Sequence, residues 1–215
     1  MKKVLVLVVV LAVVAAGNVF AQVPELKFSV GGGGYFTSDF GGGWKTVNAD
    51  SKGPYAGGGA FAFFDATFAE LSFGFFGAGG DRKNTNSGTT NIFHMSFVGL
   101  DISLLGKYPF TLSEHFTLFP LLGIDYRHFV SVKWNGAQSG SAGDQSALWF
   151  KFGAGADYAF TEHIFARLGL LYGMRLKNKW ERDTIKYYNN SYPNAAIESN
   201  LGHGLDIKLA VGYRF

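Results

Sequence analysis

The chain has 215 residues, 19 Lys and Arg against 16 Asp and Glu, a formal charge of +3, and no cysteine. So small a net charge leaves no electrostatic footprint for a nucleic-acid partner, and without cysteine there is no disulfide framework, thiolate metal site or cysteine nucleophile. With 22 Phe, 30 Gly and only 16% charged residues, the composition favours strands and bends.

The chain opens on MKKVLVLVVVLAVVAAGNVFAQ. Lys2 and Lys3 form a basic start, Val4 to Ala16 is unbroken apolar sequence, and VFA presents a cleavage site after Ala21. This reads as a secretory signal peptide over residues 1–21, too short to span a bilayer comfortably, leaving 22–215 as one domain. Removing Lys2 and Lys3 lowers the formal charge from +3 to +1. No later apolar run approaches the roughly 20 residues of a membrane helix.

Eight strands follow in chain order. The first is expected near Glu25–Phe36 and the second near Tyr55–Phe64, followed by a tight turn at Asp65–Thr67. The third runs near Phe68–Ala78 and the fourth near Phe93–Leu105, followed by the short connection GKYPFTLSEH. The fifth is expected near Phe116–Val130 and the sixth near Ala147–Phe160, with a turn at Thr161–His163. The seventh lies near Ile164–Leu176 and the eighth near Gly204–Phe215. The eighth is the clearest: Leu205, Ile207, Leu209, Val211, Tyr213 and Phe215 alternate with Asp206, Lys208, Ala210, Gly212 and Arg214, a period of two.

Long polar connections follow the first, third, fifth and seventh strands, and short turns follow the second, fourth and sixth. Long loops therefore gather at one end and short turns, with both termini, at the other. This is the layout of an all-β, eight-stranded antiparallel up-and-down transmembrane β-barrel in the bacterial outer membrane, with periplasmic termini. Closure leaves no backbone polar group facing lipid.

Parity assigns the faces. Phe28, Phe73, Phe75, Ile102, Leu104, Leu122, Ile124, Phe150, Phe152, Leu168, Leu170 and the apolar set of the last strand face lipid. Pointing inward are Lys27, Glu70, Asp101, Asp125, Arg127, Lys151, Asp157, Arg167, Arg175, Asp206, Lys208 and Arg214. An eight-stranded barrel has an interior that side chains fill, and buried charges need partners. The near balance of these acids and bases predicts a paired network, with Asp157 opposite Arg167 across the Thr161–His163 turn.

The segment GAGADYAFTEHIFARLGLLYG resembles the strand–turn–strand repeat of small outer-membrane barrels, the OmpA-barrel, OmpX and OmpW-like group. LLGKYPFTLSEHFTLFPLLGIDY is similar to a central hairpin of bacterial outer membrane protein β-barrel domains. The terminal LAVGYRF resembles their assembly signal, carried by Val211, Tyr213 and Phe215. The resemblance implies insertion by the barrel assembly machinery, outer-membrane lipids as surroundings, and a monomer without cofactor or metal. It implies a structural or surface-interaction role through the four long loops. The alternatives are a narrow channel or pocket for a small hydrophobic molecule, as in the OmpW-like branch, and a lipid-modifying enzyme.

Candidate chemistry is sparse. The runs GGGG (Gly31–Gly34), GGGW and GGGA contain no G-x-x-x-x-G-K-[ST] motif and read as barrel wall, with Gly31–Gly34 set against Gly57–Gly59. His94 and Ser96 form a His-x-Ser pair on the lipid face that resembles the pair of lipid A deacylases, without a nearby acid to orient the base. His128 is expected beside His94, on a hairpin centred near Thr111, with His203 at the same end; two such ligands do not make a zinc site. Trp149 reads as a membrane-interface anchor. KYYNNSYPN (Lys186–Asn194), with Tyr187, Tyr188 and Tyr192, reads as a recognition loop for a host or extracellular ligand, because Tyr and Asn combine contact area with adaptable hydrogen bonds.

Overall fold

A computed structural model describes residues 25–40, 43–45, 49–86, 88–138, 142–176, 178–191, 198–200 and 202–215. The expected signal peptide at 1–21 lies outside them.

Eight long strands make the wall: β1 (Phe28–Phe40), β2 (Tyr55–Ala66), β3 (Ala69–Asn86), β4 (Thr89–Lys107), β5 (Phe116–Trp134), β6 (Ala147–Ala159), β7 (Ile164–Arg175) and β8 (Gly202–Arg214). Each pairs antiparallel with the next. β1 closes the ring against β8, with Val30 opposite Tyr213 and Phe36 opposite Ile207. The result is a closed eight-stranded antiparallel barrel.

The outer face carries the alternate apolar residues, because lipid accepts what water would not. On β5 the outward side chains Leu118, Pro120, Leu122, Ile124 and Tyr126 are all apolar or aromatic. Nine residues at about 3.3 Å, tilted about 40°, give a band about 23 Å tall, close to the hydrocarbon band of such barrels. Aromatics gather at the short-turn rim, where Tyr213 stacks on His163 and packs edge-on to Phe215, and Tyr158 packs against Phe160.

Several strands outrun their apolar pattern at the long-loop end. β3 and β4 continue as a hairpin through Asp81–Asn86 and Thr89–Asn91, which the sequence pattern assigns to a loop. Above the membrane both faces of a ribbon are wet, so pairing persists after hydrophobic alternation has stopped. β5 likewise reaches Trp134 and turns at Asn135–Gly136, both at positive φ, so that Ala137–Gln138 pairs back on Lys133–Trp134. Short strands at Gly43–Lys45, Ala49–Lys52 and Glu198–Asn200 extend the sheet beside the end of β3. The last long connection contains helix α1 (Lys179–Ser191), where the sequence pattern leads one to expect only a loop.

A bulge interrupts β4–β5. Val98 lies opposite Ser131 but Gly99 lies opposite Phe129, so Val130 is the extra residue. Inward parity on β5 therefore switches from odd to even, and Phe129 and Val132 are both buried while Val130 is exposed.

The glycines fit the lumen by omission. Gly31–Gly34 lie opposite Phe63 to Ala60, whereas Gly57–Gly59 lie opposite Thr37 to Tyr35, so the expected glycine-on-glycine patch is staggered apart. A side chain at Gly31 would run into the Phe63 ring, and one at Gly99 into Phe76. The same holds for Phe119 over Gly155 and Phe165 over Gly212. Bulky rings from one strand thus occupy the space that glycine leaves on its neighbour, which is how a narrow barrel interior fills without overpacking.

Candidate functional site: a filled lumen and its mouth

Three tiers of charge occupy the interior. Nearest the short turns, Arg167 grips Asp157 in a fork, Nε to Oδ1 at 2.7 Å and Nη2 to Oδ2 at 2.7 Å. Its Nη1 also reaches Glu70 and Asp65, each at 2.6 Å. Lys107 pairs with Asp65, and Arg214 stands 3.7 Å from Asp157. Three acids meet three bases.

In the middle tier, Arg127 donates from Nη2 to both oxygens of Asp206 at 2.9 and 3.0 Å, and from Nε to Asp125 at 3.2 Å. Lys151 bridges Asp206 at 2.5 Å and Asp125. Thr37 donates to Asp206 at 2.6 Å, Ser103 to Asp125 at 2.9 Å, and the Tyr35 hydroxyl to Asp101. Lys208 lies over the Phe61 ring at 4.9 Å, with Ser72 at 3.4 Å. Again three acids, Asp101, Asp125 and Asp206, balance three bases. Arg127 stacks on Trp149 at 4.9 Å, and with Phe76 these form a fully buried plug.

The third tier closes the long-loop mouth. Arg175 donates from Nη2 to Glu181 of α1 at 2.7 Å and stands 3.4 Å from Asp39. Asn178 and Glu181 cap the helix reciprocally: Asn178 Oδ1 accepts from the Glu181 amide at 2.8 Å, and Glu181 Oε2 accepts from the Asn178 amide at 3.1 Å. Asn178 Nδ2 ties the cap to the Gln145 carbonyl at 3.1 Å, and Lys179 reaches Asp144 at 3.1 Å. Beneath the helix a cavity of about 50 Å³ is lined by Asp39, Tyr55, Met95, Phe97, Phe129 and Arg175, among others.

The residues singled out from sequence distribute as follows. Glu70, Asp101, Asp125, Arg127, Lys151, Asp157, Arg167, Asp206 and Lys208 lie buried in the lower two tiers, Arg214 at their rim and Arg175 at the mouth. Lys27 does not join them: it precedes β1, is exposed, and stands 3.9 Å from Glu25. Parity points it inward, but the wall ends at Phe28. Sequence reasoning missed Asp39, Asp65 and Lys107, which share inward parity with their strands but sit at the ends, where they read as loop or turn.

Trp149 is a correction. It is 1% exposed and lies in the lumen, not at the membrane interface. Its parity matches Lys151, and Gly173 on β7 and Gly204 on β8 leave room for its ring.

His94 and Ser96 face outward, above the apolar band. An acid does stand by the histidine: Asp81, assigned to a loop from sequence, is a β3 residue opposite His94, with Oδ1 at 3.0 Å from Nδ1. Ser96 lies opposite Gly79 and Lys133, and among the described residues no hydrogen bond joins it to His94. His128 is not beside His94 but opposite Leu100, bonded to Ser146 at 3.1 Å. The hairpin pivots near Glu114, three residues later than expected, because Phe110–Thr111 still pairs with Thr117–Leu118. His203 bonds Tyr172 at 2.6 Å. Among the described residues no group of three or more His, Cys, Asp or Glu could hold a metal.

Lys186, Tyr187 and Tyr188 belong to α1 and not to a loop; Lys186 and Tyr187 are exposed, and Tyr192 lies outside the described residues. Val211, Tyr213 and Phe215 face outward along the end of β8, where the Phe215 amide donates to the Phe28 carbonyl at 3.0 Å.

Closed wall, apolar outer band and charge-filled interior define an integral outer-membrane barrel. The chain belongs to the outer membrane protein beta-barrel domain family, whose model matches residues 6–215. Among solved structures it is similar to OprG of Pseudomonas aeruginosa, at 12% identity over 89% of this chain and 96% of that one, with a TM-score of 0.51. It is also similar to Neisserial surface protein A, at 14% identity over 87% and 97% with a TM-score of 0.42. Ail, the attachment invasion locus protein of Yersinia pestis, matches at 15% identity over 89% and 100%, with a TM-score of 0.41. No curated protein sequence matches the chain.

Proposed function

We propose that this barrel is a non-conducting, non-enzymatic surface protein whose interactions are made at the long-loop end. The short turns and both termini face the periplasm. The leader directs export, and the barrel assembly machinery reads Phe215 with Tyr213 and Val211. The observation that carries this reading is the filled lumen: Arg127, Trp149 and Phe76 are each fully buried mid-barrel, and acids balance bases three to three in each of the lower two tiers. A pore lined this way offers no continuous water path, so function is left to what projects above the wall, chiefly α1 and the β3–β4 hairpin.

The channel reading loses support at the mouth, where Asp39 and Arg175 make the cavity polar on one side and Phe97 and Phe129 close its floor. The lipid-enzyme reading loses support from the missing Ser96–His94 contact. In planar bilayers the purified barrel is expected to give no conductance steps; regular steps that persist after deletion of residues 186–194 would overturn the reading. Bacteria displaying the barrel are expected to lose surface attachment when 186–194 are deleted, and retained attachment would count against a loop-mediated role.

A further inference from the structure

Four buried side-chain atoms among the described residues lack a hydrogen-bond partner; Arg127 Nη1 and Trp149 Nε1 stand in the middle tier, and the other two stand together at the mouth cavity. Asp39 is 2% exposed, yet its Oδ2 has no hydrogen-bond partner. Arg175 Nε, 3.4 Å away, is also without one, because the pair is close but misaligned. Tyr55 occupies the other side of the Asp39 carboxylate with its hydroxyl. An acceptor and a donor therefore stand side by side, both lining the cavity. Buried groups of this kind are normally satisfied, so what enters the cavity is expected to satisfy them.

The chemistry of the entrant follows from the walls. One group must donate to Asp39 and accept from Arg175, which a hydroxyl does and an ammonium or a carboxylate does not. The surrounding charge argues the same way. Asp39 and Glu181 oppose a carboxylate, while Arg82 and Arg175 oppose an ammonium. Gln145 and Asn178 add amide groups at the rim, and Met95, Phe97 and Phe129 supply an apolar floor. A volume of about 50 Å³ admits about four water-sized groups, hence the edge of a molecule and not the whole of it. Vicinal hydroxyls on a ring with apolar C–H faces fit all of these conditions.

We propose that the mouth beneath α1 is a subsite for the hydroxyl-bearing edge of a neutral sugar. The proposal rests on the surface-interaction reading and names its ligand class. Arg175 is the pivot, because it holds the wall residue Asp39 on one side and Glu181 of the helix on the other; the strapped helix forms the roof. The sugar comes either free in solution or as the end of a glycan, and both present the same edge.

The test titrates the full barrel in detergent micelles with glucose, galactose, glucuronate and glucosamine, following tyrosine and tryptophan fluorescence and chemical-shift changes at Arg175 and Tyr55. A neutral hexose is expected to saturate, with the two charged analogues at least tenfold weaker. Asp39→Asn retains the shape but turns the acceptor into an amide, and is expected to weaken the hexose at least tenfold while the protein keeps its heat-modifiable folded band on gels. Gln145→Trp, outside the ion pairs, is expected to block the cavity and abolish binding. Saturation by glucuronate or glucosamine as tight as by the hexose, no saturation by either hexose, or unchanged affinity in both variants overturns the proposal. Glycan-coated beads compared with free hexose separate the two sources. If micellar binding persists while displayed cells fail to attach, the surface-interaction reading falls and the subsite stands; the reverse result removes only the subsite.

Discussion

The middle tier of the lumen and its mouth are built from the same residue types and treat them differently. Asp206 receives Arg127 through two bonds, Lys151 at 2.5 Å and Thr37 at 2.6 Å. Asp39, about as well buried, faces its arginine at 3.4 Å without a hydrogen bond. Charges inside a barrel are retained only where geometry repays their desolvation, and the middle tier meets that condition several times over. At the mouth Asp39 Oδ2 and Arg175 Nε are left without partners and line a cavity, whereas the unpartnered Arg127 Nη1 and Trp149 Nε1 of the middle tier do not line it. The difference separates a stretch of interior that holds the barrel shut from one that is available to something outside.

The sharpest way to break this comparison is to empty the most heavily shared position. Arg167 serves Asp65, Glu70 and Asp157 together. Arg167→Ala takes from Glu70 its base and leaves Asp65 with Lys107 alone and Asp157 with the more distant Arg214, and is expected to cost about 3–5 kcal/mol or to prevent folding. Urea unfolding in micelles or bilayers reads the loss. Arg167→Lys is expected to fall between, since an ammonium cannot make the fork with Asp157. A second effect, somewhat smaller, comes from the packing that surrounds the charges. A side chain at Gly155 would meet the Phe119 ring, so Gly155→Val is expected to destabilise by about 1–3 kcal/mol in the same measurement. Little change would mean the ring has space to retreat and the lumen is not tightly filled.

How far these features could be read from sequence depends on where the chain is constrained. Asp157 and Arg167 were legible as a pair because a three-residue turn leaves no choice of register. His94 and His128 were misplaced because the connection between their strands hides a paired Phe110–Thr111, and a few residues of pivot error carries the two histidines apart. Parity assigned the lipid face wherever apolar residues alternate, since lipid and lumen make opposite demands. It runs out above the membrane, where water bathes both faces, so Asp81 reads as loop and nothing in the pattern sets its carboxylate beside His94. The tier-by-tier charge balance was only half visible, because Asp39, Asp65 and Lys107 stand at strand ends where turn chemistry offers an equally good reason for them. A tryptophan near a strand end suits the interface, and only the glycines on the next two strands, Gly173 and Gly204, reveal the space inside for Trp149.

Within the middle tier, Thr37→Val removes one donor from Asp206 while leaving its two bases. The expected loss is about 1 kcal/mol, the net worth of an ordinary hydrogen bond, because the carboxylate remains paired. A loss as large as that of Arg167→Ala would mean that the tier behaves as one indivisible network, in which any single deletion unpicks the rest.

The smallest effect is expected at the mouth, and it tests the comparison from the other side. Asp39→Asn replaces a carboxylate whose Oδ2 has no hydrogen-bond partner by an amide of the same shape, retaining an oxygen for Tyr55. Removing a charge that is poorly repaid should leave stability within about 1 kcal/mol of the parent, or raise it, in contrast to the loss expected at Arg167. The paired substitution Asp206→Asn, made in the middle tier with identical chemistry, is expected to destabilise by more than Asp39→Asn, because it leaves Arg127 and Lys151 to share the single charge of Asp125. Equal losses at the two aspartates would mean that Asp39 is held as firmly as Asp206, and the mouth would then have no spare bonding capacity to offer a ligand.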